Sequence, residues 1–259
     1  MEGRNSGVRR VALALCAALV LAAPARATPD HKGCAAPHEL ERLRTGLART
    51  ATRLARHEKL TVVTIGSSST VGYGASAPEL NYPSQFAAEL RRRMPAQPIE
   101  VVNRGVNGET SIDMVARFEH DVIEAAPDLV IWQVGTNAVL RDLDVTRYRQ
   151  VVRNGLVRLK DAGFDVIIMD MQFAPKVLSH PLYHEMERSL AVLGKEQGIP
   201  VFRRFALMQH WVDSGQLDFT TMLSPDGLHM NDLSYGCLGR ALADAVIERA
   251  APPVVASDR

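Results

Sequence analysis

No charge of one sign dominates this chain: 30 Lys and Arg stand against 29 Asp and Glu in 259 residues. That balance excludes the electrostatic footprint of a nucleic-acid or anionic-membrane binder. Cysteine is scarce, with three residues, and none stands in a metal-ligand spacing such as Cys-x-x-Cys. Long apolar runs are missing as well. The stretch Val11 to Ala23 falls short of the roughly 20 residues that a membrane-spanning helix needs. There is no repeat and no low-complexity segment. Three familiar signatures are also absent. Thr70 breaks a Gly-x-Ser-x-Gly elbow, Gly66 and Gly72 have the wrong spacing for a P-loop, and no His-Glu-x-x-His occurs.

What is present begins with an export signal. Arg4, Arg9 and Arg10 form a basic start, Val11 to Ala23 an apolar run, and Ala25-Arg-Ala27 a small-x-small cleavage site. Cleavage after Ala27 leaves 232 residues with 26 Lys and Arg against 28 Asp and Glu, enough for one substantial domain. The expected location is periplasmic or secreted. Two cysteines remain, Cys34 and Cys237, and an oxidising compartment makes them a candidate disulfide. The bond would tie an N-terminal extension to the last helix.

Short apolar runs alternate with helix-period segments. Strands are expected at Leu60–Ile65, Ile99–Asn103, Asp128–Val134, Phe164–Asp170 and Pro200–Phe202. Helices are expected at Pro37–His57, Tyr82–Arg93, Ser111–Ala125, Val145–Ala162, Leu182–Gln197, Arg204–Ser214 and Leu233–Ala250. In the first of these, Leu40, Leu43, Leu47 and Leu54 make one stripe and the arginines line the solvated face. The alternation predicts an α/β fold: a three-layer, doubly wound parallel five-stranded sheet. Ligands of such sheets bind beyond the carboxyl ends of the strands. Three polar turns each follow a strand, Gly66-Ser-Ser68, Asn103–Gly108 and Gly135-Thr-Asn137, so all three are expected at one sheet edge.

These turns carry the components of acyl transfer. Ser67, Ser68 and Ser69 compete as nucleophile at a strand-to-helix turn, where free backbone N–H groups favour an anionic oxygen. Asp226 and His229 stand three apart on a Ser-Pro-Asp-Gly turn, which can set the carboxylate against the imidazole. Gly108 offers a backbone N–H, and Asn137 a side-chain N–H, to a developing oxyanion. His180 and His184, with Glu187, share a helical spacing but lack a metal signature, and they read as a solvated helix start. Gln172 to Tyr183 is a long connection that could wall a substrate cleft.

In this order the blocks resemble the SGNH hydrolase superfamily, the GDSL-like lipases and esterases, from about Leu60 to Ala250. Gly66-Ser-Ser68 is similar to the first block, Asn103-x-Gly-x-x-Gly108 to the second, Gly135-Thr-Asn137 to the third and Asp226-x-x-His229 to the last. Ser67 departs from the aspartate the family often carries there. The resemblance implies Ser68 as nucleophile, His229 as base and Asp226 as orienter. It further implies Ser68 N–H, Gly108 N–H and Asn137 as oxyanion donors, a flavodoxin-like sandwich, and no metal or organic cofactor. The chain then divides into a cleaved signal (1–27), an extension with a helix (28–58), the hydrolase domain (59–252) and a flexible tail (253–259). The expected activity is hydrolysis of carboxylic esters through an acyl-enzyme, leaning towards acetyl esters of carbohydrate. The expected partner is a small-molecule or glycan ester, with no nucleic acid and no stable membrane insertion. The alternatives are a lipid or thioester acylhydrolase, an O-acyltransferase, and a catalytically silent carbohydrate-binding protein on the same scaffold.

Overall fold

A computed structural model describes residues 33–250; the expected signal sequence (1–27) and the expected tail (253–259) lie outside the described residues. Five Val- and Ile-rich runs form strands: β1 (Leu60–Gly66), β2 (Ile99–Gly105), β3 (Leu129–Gln133), β4 (Asp165–Met169) and β5 (Val201–Phe202). All pair in parallel, in the order β2-β1-β3-β4-β5. β3 is buried throughout and β1 nearly so. Continuous apolar runs suit this position because the crossover helices cover both faces of a parallel sheet.

The helices in chain order are α1 (His38–Glu41), α2 (Ala48–Ala55), α3 (Ser68–Val71), α4 (Tyr82–Arg93), α5 (Ser111–Ala116), α6 (Thr136–Leu140), α7 (Val145–Asp161), α8 (Pro175–Leu178), α9 (Tyr183–Gln197), α10 (Arg204–Asp213), α11 (Phe219–Met222) and α12 (Asp232–Ala250). α4 and α12 pack together over one face, while α5, α7 and α9 lie side by side over the other. The result is the expected α/β/α sandwich. Strand order reverses between β1 and β3, which opens a crevice at the carboxyl ends of these strands. Register places Gly66 beside Gly105 there, and Gln133 beside Met169.

Two helix expectations need correction. Pro37–His57 is not one helix: Arg42 turns extended, and α2 restarts only at Ala48. Tertiary contacts override the stripe. Leu43 and Leu47 both reach the core, Arg249 Nε takes the Thr45 carbonyl at 2.9 Å, and Glu248 holds His38 Nε2 at 2.8 Å. Nor do the arginines of α2 simply face water. Arg49 and Arg53 donate through Nε to the buried carboxylate of Asp128, at 3.0 and 2.8 Å. The second correction is Ser111–Ala125, which breaks at Arg117 into a wider π-helical turn over Glu119–Ile123. There Phe118 meets Trp132 edge to face, ring centres 4.9 Å apart, and both are fully buried.

Cys34 and Cys237 are joined in a disulfide. The run Arg91–Arg93 ends α4, as cations suit a helix C-terminus: Arg92 and Arg93 pair with Glu89, Arg93 also with Asp244, and Arg91 donates to the Ile99 carbonyl. Among the described residues no helix is long and apolar enough to cross a membrane.

Candidate active site

β1 ends at Gly66, Ser67 is extended, and Ser68 is the first residue of α3. Its N–H therefore belongs to the first helical turn, whose donors have no partner within the helix. The three adjacent serines meet different fates. Ser67 is buried, and its hydroxyl and N–H both donate to Gln133 Oε1, at 3.1 and 3.0 Å. Ser69 is buried too and donates to Gln172 Oε1 at 3.3 Å. Ser68 alone faces the imidazole, with Oγ 2.7 Å from His229 Nε2.

His229 arrives on a tight turn. Gly227 takes a positive φ of 66°, and Ser224 N–H donates to the His229 carbonyl at 2.8 Å. This turn folds Asp226 back against the edge of the ring, where its Oδ2 lies 2.5 Å from His229 Nδ1. Asp226 Oδ1 accepts from the N–H groups of Leu228 and His229, at 2.9 and 3.0 Å, and from Ser224 Oγ at 2.7 Å. Burial by itself would raise the pKa of this carboxyl. The bonds from His229, Ser224 and Leu228 outweigh it and hold the group well below the usual carboxylate range. An ionised Asp226 accepts a hydrogen bond from Nδ1–H, which leaves the Nε2 lone pair to accept from the Ser68 hydroxyl. The Tyr73 ring covers the imidazole, with centres 4.5 Å apart.

The other two loops reach the same edge. Asn103 donates to the Thr70 carbonyl at 2.6 Å and accepts from Gly105 N–H at 2.9 Å, tying the end of β2 to α3. Gly108 has a φ of 76°, a left-handed conformation that favours glycine. Asn137 sits in the first turn of α6, and one of its amide hydrogens goes to the Glu109 carbonyl at 2.8 Å. Arg141, one turn further on, donates to the Gly108 carbonyl at 2.6 Å. Thr110 and Asp113 form a reciprocal cap that starts α5 immediately after this loop.

Sequence reasoning missed Gln133 and Gln172. Gln133 Oε1 accepts from Ser67 and, at 3.2 Å, from Thr70. Gln172 Oε1 accepts from Ser69 and, at 2.8 Å, from Thr136, so it bridges α3 to α6. For Gln133 the one available signal was position, a polar residue at the end of an apolar strand on the ligand-binding edge. Gln172 to Tyr183 includes α8, and Gln172 itself is buried. His180 lies 3.4 Å from Asp142, and His184 packs on Tyr183. Among the described residues no group of three or more His, Cys, Asp or Glu could hold a metal.

A hydroxyl, an imidazole and a carboxylate joined in series beside N–H donors can transfer a proton from oxygen to nitrogen while charge develops on a bound carbonyl. A family model described as the Non-GDSL lipase-like family matches residues 33–252. Among curated proteins, an acetylxylan esterase from Geobacillus stearothermophilus is 39% identical over 64 residues, 25% of this chain and 29% of that protein. An arylesterase from Vibrio mimicus is 25% identical over 174 residues, 66% of this chain and 80% of that protein. Among solved structures, a two-domain esterase active on acetylated mannans aligns with a TM-score of 0.66 at 20% identity, over 85% of this chain and 58% of that one. The structure of an acetylxylan esterase from Geobacillus stearothermophilus aligns with a TM-score of 0.61 at 21% identity, over 75% of this chain and 97% of that one. The chain thus spans under a third of the first curated relative and little more than half of the two-domain esterase. At these identities the likeness to solved structures is one of fold.

Proposed function

The chain belongs to the Non-GDSL lipase-like family, within the SGNH hydrolase superfamily, and from that premise we propose that it is a serine esterase working through an acyl-enzyme on Ser68. The observation that carries this is the continuous Ser68–His229–Asp226 series, at 2.7 and 2.5 Å. His229 Nε2 takes the Ser68 proton as Oγ attacks the ester carbonyl. The N–H groups of Ser68 and Gly108 and the Asn137 amide receive the oxyanion. The tetrahedral adduct collapses, the leaving alkoxide takes the proton from His229, and the acyl group stays on Ser68. Water then repeats the sequence with His229 as base, releasing the acid and restoring the serine. Asp226 keeps the imidazole in the required tautomer and stabilises the imidazolium throughout.

The substrate reading is an acetyl ester of a carbohydrate. Its support is the substrate class named for two relatives, acetylxylan and acetylated mannans. The exposed Tyr73 ring beside His229 also offers a flat face to a sugar. Export is proposed with it, supported by the N-terminal signal pattern and by a disulfide that an oxidising compartment favours.

The test is turnover of p-nitrophenyl acetate and of an acetylated xylan or mannan, with product analysis in the presence of competing alcohols. Ser68→Ala and His229→Ala should each remove turnover by about 10⁴-fold or more, and Asp226→Asn by about 10⁴-fold, because the three act as a unit. Asn137→Ala should cost about 10²–10³-fold, as one donor is lost. Ser67→Ala should keep most activity. Turnover that survives Ser68→Ala but not Ser67→Ala would overturn the nucleophile assignment. Acylated alcohol as the main product would make the protein a transferase.

A further inference from the structure

The loop that carries Gly108 has no strand ladder to hold it, yet an oxyanion donor acts only within about 2.7–3.1 Å of the developing charge. Arg117 supplies much of the missing support. Its guanidinium meets the Glu109 carboxylate through Nε at 2.8 Å and Nη2 at 2.7 Å. Nη2 also donates to the Arg104 carbonyl at 2.8 Å and to the Gly66 carbonyl at 3.4 Å, and Nη1 meets Asp121 at 2.6 Å. One side chain therefore touches the last residue of β1 before the nucleophile turn, the end of β2, and the oxyanion loop. The Gly66 carbonyl accepts from Val106 N–H as well, at 3.0 Å, so the same atom anchors both loops. A guanidinium suits this place because its five N–H donors, held in a rigid fork, reach several acceptors at once.

Position in the chain explains how the fork gets there. Arg117 caps the C-terminus of α5, and the wide turn over Glu119–Ile123 brings Asp121 against the guanidinium. The side chains of Glu109 and Arg117 are 15% and 17% exposed, so water screens the pair far less than it would at the surface. Charge matters as much as shape. Glu109 adjoins Gly108, and an unpaired carboxylate there would oppose the negative charge that forms in the transition state.

We propose that Arg117 is a positioning residue of the reaction: through Glu109 it fixes Gly108 N–H relative to Ser68 and cancels the charge of the Glu109 carboxylate beside the oxyanion. The proposal rests on the esterase reading. The test is kcat and KM for p-nitrophenyl acetate, per active site titrated with a serine-directed phosphonate, in Arg117→Ala, Arg117→Lys, Glu109→Gln and the double variant Glu109→Gln/Arg117→Ala. Arg117→Ala should lower kcat about 10²-fold with KM within about two-fold. Glu109→Gln should lower it by less than about 10-fold, since the shape remains and the charge goes. Adding Glu109→Gln to Arg117→Ala should recover about 10-fold in kcat, because the uncompensated carboxylate is removed. Arg117→Lys should fall between wild type and Arg117→Ala, and it carries the test with Glu109→Gln if the alanine variant does not fold. A purely structural arginine would lower the titrated fraction and leave kcat per site unchanged. That result, or a double variant no better than Arg117→Ala, would overturn the proposal. Failure of the wild-type protein to hydrolyse the ester or to be labelled at Ser68 would instead refute the esterase reading.

Discussion

Asp170 shows what burial does to a single carboxyl group. It follows β4, is 3% exposed, and accepts the Phe205 N–H at 2.9 Å. Loss of solvent pushes its pKa up to about 7, against the opposing pull of that N–H and of the buried Arg204 guanidinium. In the unfolded chain an aspartate gives up its proton near ~3.9. The folded state therefore holds a proton that the unfolded state has lost, and stability falls as pH rises between these values. Compared with Asp170→Asn, which keeps the acceptor oxygen, wild type should be relatively most stable below pH ~4, lose ground up to pH ~7, and change little above. Urea unfolding of both proteins at several pH values measures this, and a difference independent of pH would refute it. Such residues leave little trace in sequence. Ser68 and the Asp226–His229 pair were legible because their roles fix residue type and local spacing. Gln133 and Gln172 were not, since the serines they hold are 66 and 103 residues away and glutamine has no turn or helix signature of its own.

Between elements, the critical contact is that of β2 with α3. Gly105 ends β2, and a Cβ built there would lie 2.2 Å from Val71 N and 2.7 Å from the Thr70 carbonyl carbon. Both are backbone atoms of the helix that carries Ser68, so no side-chain rotation can relieve the clash. Gly105→Ala should thus displace α3, lower kcat by about 10-fold or more through a shift of order 1 Å, and lower the melting temperature. Gly46→Ala, where a Cβ meets nothing within 4 Å, is the control and should leave both unchanged. Equal kcat in the two variants would show that α3 is not held by this contact. Elements on this scale were readable where the pattern was set by burial alone. The strands stand within one or two residues of expectation because uninterrupted Val/Ile runs have few other places to go. The α4 bounds coincide with those expected, helped by the Asn81 cap and Pro83 at its start. The misreadings came where distant partners decide. Arg249 and Glu248 straighten the chain after α1, and the demands of Arg117, Phe118 and Trp132 widen the turn after α5.

For the molecule as a whole, the sheet has one edge for chemistry and one for anchorage. At the edge opposite the nucleophile, Asp128 binds the Thr61 N–H together with Arg49 and Arg53, and Asp165 accepts the Thr50 N–H at 2.7 Å, so α2 is fastened beneath the strands. The segment before α2 lies along α10 and α12. Trp211 Nε1 donates to the Cys34 carbonyl at 3.1 Å, Gln216 to the Ala35 carbonyl at 3.0 Å, and the disulfide joins Cys34 to Cys237 across 203 residues. Closing so long a loop restricts the unfolded chain much more than the folded one, an effect of about 4–5 kcal/mol in the chain-entropy account. For a domain of this size that corresponds to roughly 10–20 °C in melting temperature. Cys34→Ser/Cys237→Ser should melt lower by this amount, and wild type unfolded and refolded in dithiothreitol should match it. Because the surrounding hydrogen bonds remain and the bond joins no residue of the Ser68–His229–Asp226 series, kcat at 25 °C should stay within about two-fold of wild type. A melting shift below about 3 °C would mean that the noncovalent anchorage already restrains the unfolded chain, as residual structure in that ensemble can do. A kcat loss in the fully folded variant would mean that strain passes along α12 to the turn bearing His229.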